Sequence, residues 1–137
     1  MTPPPLLDTH AWIWWVRRDA RLGDAALDAL DGFPPDGRPY LSDISLWEVA
    51  MLTARGRLEL TSALAEWLES ASHPRSVRVL PISAAIATAT AGFARSVLRD
   101  PADGIIVATS RVLGVPLLSH DRRILRSRLA TTWTPEP

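Results

Sequence analysis

Asp8, Glu48, Asp103 and Asp121 are the residues of this chain whose types and spacing could carry chemistry. Asp8 directly follows Leu6-Leu7, and Asp121 comes shortly after Leu117-Leu118, behind Ser119 and His120. Short apolar runs of this kind read as buried strands, and in open α/β sheets functional sites gather just beyond the C-terminal ends of strands. Each aspartate has a competing role there, because Asp is also a favoured N-cap of the helix that follows. Asp100-Pro101-Ala102-Asp103 is more specific. Asp before Pro reads as an N-cap followed by proline at the first helical position, which makes Asp100 the cap and puts Asp103 in the first turn. The positive end of a helix favours the ionised form of such a carboxylate, the form a hard cation requires. Glu48 falls inside a predicted helix, on a flank shared with Ile44, Ser45, Met51, Leu52 and Arg55. Spacing leaves open whether it points outward or into a polar site. Oxygen donors without cysteine or a paired-histidine motif favour Mg²⁺ or Mn²⁺ over zinc. A cation held by such a cluster could activate water and clamp a phosphodiester.

The elements that must position these acids alternate in type. Leu6-Leu7, Tyr40-Leu41, Val77 to Leu80 and Leu117-Leu118 read as short strands. His10 to Val16, Asp24 to Leu30, Asp43 to Ala54, Ser62 to Ser70, Ser83 to Val97, Asp100 to about Leu113 and Asp121 to Leu129 read as helices. Phe33 to Gly37 is a loop, His73-Pro74 breaks a helix, and Thr131 to Trp133 is a candidate edge strand. Strands alternating with helices predict an α/β domain around a mostly parallel sheet. No internal repeat or low-complexity segment divides the chain, so residues 1–137 are expected to form a single domain.

Composition narrows the function further. Of the 137 residues, 47% are hydrophobic, enough for a core without disulfides, and there is no cysteine. The acidic and basic residues balance at 15 each, which argues against generic nucleic-acid binding by bulk charge and leaves local patches to make any such contact. All the basic residues are arginine. Without a lysine the chain cannot perform Walker-type phosphate binding or Schiff-base chemistry, whereas arginine forks suit phosphate. The haloacid-dehalogenase pattern fails too, because its second aspartate would fall at His10. No apolar run is long enough to span a bilayer and no signal-peptide pattern opens the chain, so a cytoplasmic protein is expected, with no membrane association.

Four blocks resemble a known family. Leu6-Leu7-Asp8-Thr9-His10-Ala11, with Trp14-Trp15 after it, is similar to the opening of PIN-domain toxins of the VapC type. Leu41 to Ala50, continued by Arg55 to Leu60, resembles their second motif; Asp100 to Ala108 resembles the third, and Leu117 to Asp121 the fourth. The blocks stand in family order over nearly the whole chain. The resemblance implies a three-layer α/β/α sandwich and a Mg²⁺- or Mn²⁺-dependent endoribonuclease. It carries four site acids onto Asp8, Glu48, Asp103 and Asp121, with Asp8 and Asp103 the firmest metal ligands. Thr9 and Ser119 match positions where a hydroxyl lies near the metal. It further implies an RNA substrate, a cognate antitoxin that occludes the site, and a homodimer. Ala102 and Gly104 depart from the nearest subgroup, which carries Phe and Arg there; that departure bears on RNA contacts rather than on the acids. The alternative is a PIN-like module that binds RNA or protein without cutting.

Trp12, Trp14 and Trp15 cannot share one helix face, so at least one is expected to be exposed or in an interface. Arg122, Arg123, Arg126 and Arg128 form a basic cluster that could track RNA phosphates or simply be a solvated face. His10 and His120 each lie next to a site acid, where a local structural role is the leading expectation.

Overall fold

The computed structural model describes residues 3–93 and 98–136. Four strands, β1 (Leu6–Leu7), β2 (Tyr40–Ser42), β3 (Arg78–Leu80) and β4 (Leu117–Leu118), form one parallel sheet in the order β3-β2-β1-β4. The register is set by pairing Leu7 with both Leu41 and Leu118, and Leu41 with Val79. Backbone bonds from Asp8 to Leu118 (3.1 Å) and from Asp43 to Leu80 (3.0 Å) carry the pairing into the loops beyond the strands.

Helices cover both faces. They are α1 (Thr9–Arg17), α2 (Asp24–Asp31), α3 (Ile44–Ala54), α4 (Leu64–Ala71), α5 (Ala84–Thr90), α6 (Pro101–Leu113) and α7 (Arg122–Ser127). Successive side chains of a strand point to opposite faces, and the core divides accordingly. Leu7, Leu41 and Leu118 pack with Trp12, Val49 and Trp67 of α1, α3 and α4. Leu6 and Leu117 pack with Ile106 and Val107 of α6 and Ile124 of α7. The leucines of β1 are wholly excluded from solvent. Each such side chain stabilises the fold by roughly 1.5–3 kcal/mol, so a two-residue strand suffices at the centre. Trp12 anchors its layer: its ring meets Trp67 edge-on at 5.0 Å, and its Nε1 donates to the Ala71 carbonyl at 3.0 Å. The result is the α/β/α sandwich expected from the sequence.

The differences from expectation are local. α4 begins at Leu64 rather than Ser62, and α7 stops at Ser127, short of Leu129, because Arg128 turns left-handed at φ 56°. α5 ends at Thr90, short of Val97; Thr88 and Thr90 donate back to backbone carbonyls and Gly92, a poor helix former, follows. The remainder of that expected helix, residues 94–97, lies outside the described residues. The Thr131–Trp133 edge is a single parallel bridge between Leu117 and Thr132.

Candidate active site

The strand order reverses direction between β1 and β4, which is the topological switch point where α/β sheets open a crevice. Asp8 leaves the end of β1 and Ser119 to Asp121 leave the end of β4, so the two flank that crevice. Each aspartate also starts a helix. Asp8 Oδ1 accepts the Ala11 N–H at 2.7 Å, Asp100 Oδ1 accepts that of Ala102 at 2.9 Å, and Asp121 Oδ1 accepts those of Arg123 and Ile124. The capping role and a role at the crevice are therefore compatible: in each cap one carboxylate oxygen takes the helix N–H, and the other takes no part in it.

α6 opens with Pro101 at its first position, which places Asp103 on the turn that faces α3. Glu48 reaches toward it from α3. Thr9, buried at the start of α1, donates to Glu48 Oε1 and pairs with the Ser45 hydroxyl at 2.9 Å. These bonds turn Glu48 inward, settling what spacing left open. One oxygen each from Glu48, Asp100 and Asp103 lies within 4.8 Å of the others, the group among the described residues close enough to share an ion. Asp100, assigned only a capping role by sequence reasoning, thus stands in the acidic group as well. Asp8 and Asp121 lie outside that trio but within electrostatic reach of it.

Burial, and after it mutual repulsion, raises the proton affinity of these acids. Burial pushes the Asp103 carboxyl up to about 7, with repulsion from Asp100, Asp121, Glu48 and Asp8 adding to it. Burial likewise raises Glu48, partly offset by the Thr9 hydroxyl and reinforced by Asp100. Asp8 is raised by burial, against the opposing bonds from Ser119 and Ala11. Neighbours that repel in this way are the arrangement a divalent cation relieves, and an all-oxygen donor set fits a hard ion.

His10 and His120 are exposed and border the crevice. Trp12 is buried, Trp14 and Trp15 are half-buried, and the tryptophan most open to solvent among the described residues is Trp47 in α3, 52% exposed. Arg122, Arg123, Arg126 and Arg128 are all exposed, the first two directly following Asp121. A larger cleft of about 580 Å³, lined by Arg111, Val115, Pro116, Leu129 and Trp133, contains no carboxylate. Among the described residues no helix is long and apolar enough to cross a membrane.

The sequence matches the family model of the PIN domain over residues 6–128. The chain belongs to the PIN-domain family. Within it, this PIN domain is of the VapC type: Ribonuclease VapC22 of Mycobacterium tuberculosis is 36% identical to it over 133 residues, 93% of this chain and 97% of that protein. Solved structures share the fold. FitAcB from Neisseria gonorrhoeae aligns with a TM-score of 0.68 and 24% identity, covering 95% of this PIN domain and 96% of that chain. A toxin–antitoxin complex from Klebsiella pneumoniae gives 0.57 and 22%, covering 85% and 86%.

Gly104, one of the two departures from the nearest subgroup, sits in α6 with open space where a Cβ would stand, so sterics do not dictate a glycine there. Ala102 is buried.

Proposed function

We propose that this PIN domain is a metal-dependent endoribonuclease, the toxin of a type II toxin–antitoxin pair, working as a single-domain cytoplasmic protein. The observation that carries the reading is the convergence of Glu48, Asp100 and Asp103 within 4.8 Å, with Asp8 and Asp121 alongside. The VapC22 relative, itself a ribonuclease, supports RNA as the substrate.

Glu48, Asp100 and Asp103 would hold the ion, with Asp8 and Asp121 completing its negative surround. Mg²⁺ or Mn²⁺ bound there supplies Lewis-acid activation of water and charge neutralisation at the phosphodiester. The remaining work belongs to the chain. Thr9 and Ser45 fix the direction of Glu48. The caps of α1, α6 and α7 fix Asp100 among the ligands, and Asp8 and Asp121 beside them, through backbone hydrogen bonds rather than free rotamers. Arg122 and Arg123, exposed at the start of α7, offer guanidinium forks to flanking phosphates. The similar fold of the Klebsiella toxin–antitoxin complex supports a cognate antitoxin as partner. A homodimer is part of the same reading.

The test is cleavage of structured RNA by antitoxin-free protein in Mg²⁺ or Mn²⁺. Cleavage is expected to stop with EDTA and with Asp8→Asn. Metal-independent cleavage would refute the mechanism. Intact RNA bound equally by wild type and Asp103→Asn would instead make the chain a binding module.

A further inference from the structure

Beside the carboxylates, between the ends of β1 and β4, lies a cavity of about 160 Å³ lined by Asp8, His10, Trp14, His120 and Asp121. It is smaller than the roughly 300–1,000 Å³ of sites for drug-sized ligands, and suits one planar ring rather than a whole nucleotide. Its wall is aromatic. Trp14 is half-buried against the core, and the Arg21 guanidinium, held by Asp19 at 2.7 Å, lies 5.0 Å over its ring. The His120 ring stands edge-on to Trp14 at 5.6 Å and 85°, and the His10 ring is tilted at 6.1 Å and 59°. Neither imidazole stacks face to face on the indole. Both histidines are exposed.

The electrostatics select among occupants. A phosphate is repelled by Asp8 and Asp121, whereas a neutral nucleobase is not. Its amino and imino N–H groups can donate to a carboxylate or an imidazole nitrogen while its ring lies on the aromatic wall. We propose that this cavity is a nucleobase subsite, in which a base adjoining the cleaved phosphodiester leaves its stack and packs against His10, Trp14 and His120. The proposal rests on the ribonuclease reading above and assigns the histidines to substrate selection rather than to bond cleavage.

The experiment is steady-state cleavage by wild type, His10→Ala/His120→Ala and His120→Phe, each on an RNA and on the same RNA with an abasic nucleotide beside the cut. Loss of base stacking is expected to lower kcat/KM about tenfold in the double alanine variant, mainly through KM. His120→Phe keeps an aromatic face but no ring nitrogen and is expected to lose less kcat/KM than the double alanine variant. The abasic substitution should cost the wild type a similar factor and the double variant little more, the coupling expected of partners in contact. Equal abasic penalties in both proteins, or a double variant that cleaves like wild type, would overturn the subsite while leaving the nuclease intact. Wild-type protein that cuts no RNA overturns both. Unchanged RNA kinetics with lost antitoxin affinity would assign the cavity to a protein side chain and refute the base. If the double variant unfolds in a thermal melt, His120→Ala alone replaces it in the same comparison.

Discussion

Replacing Asp103 by asparagine removes a charge that burial disfavours most and that the neighbouring acids disfavour further. The carboxyl is held at about 7 instead of 3.8, a difference worth about 4 kcal/mol at 1.36 kcal/mol per unit of pH. Asp103 is only partly buried, and solvent screening reduces the expected value to about 2 kcal/mol. The direction follows from proton binding. Below the unfolded value both states hold the proton and nothing is lost. As pH rises from about 4 to 7 the unfolded chain releases it while the folded chain retains it, so stability falls across that window and stays low above it. In EDTA at pH 8, Asp103→Asn should therefore be more stable than wild type by about 2 kcal/mol, or about 6–8 °C in Tm for a chain of this length. Most of that gain should vanish at pH 4.5. Urea titrations of both proteins at the two pH values measure it. A variant no more stable than wild type at pH 8, or a gain that does not depend on pH, would refute the reasoning that burial, reinforced by the neighbouring acids, disfavours the Asp103 charge.

Three further outcomes follow from the same geometry. Mn²⁺ at about one hundred times its Kd should stabilise wild type by about 2.7 kcal/mol in a thermal melt at pH 7; a similar rise in Asp103→Asn would show that the ion binds elsewhere. Asp121→Ala removes the cap of α7 and should cost about 1 kcal/mol in chemical denaturation, whereas Asp121→Asn should cost little; equal losses would mean that charge rather than capping matters there. Gly104→Ala places a Cβ in open space within α6 and should stabilise the protein by about 0.5–1 kcal/mol, with destabilisation counting against an accommodating site.

What could be read from the chain was local. Asp-Pro announces the start of α6 by itself, and alternating apolar runs reveal the α/β class because each element's period is written within it. The order β3-β2-β1-β4 could not be read that way, since parallel strands of two or three residues hold no information about which neighbour they pair with. Asp100 shows the same limit from the other side. Its capping role is complete within four residues, and nothing in those residues tells that α3 brings Glu48 up to the same carboxylate. Glu48 itself was ambiguous because its direction depends on Thr9, thirty-nine positions away in sequence. The run after Ser83 reads as a longer helix than α5 because it is alanine-rich, until the threonines and Gly92 are weighed against it.

The aspartates that begin α1, α6 and α7 have a consequence for how such a gene decays. Asparagine caps a helix as well as aspartate does, and a single transition in an Asp codon produces it. A disarming Asp→Asn lesion at these positions therefore leaves the helix starts intact. An inactivated copy would accumulate to the same level as the intact one, escape the proteases that clear misfolded chains, and continue to occupy whatever partner the working copy binds. Inheritance of a silent, competent-looking allele is built into the way these helices start.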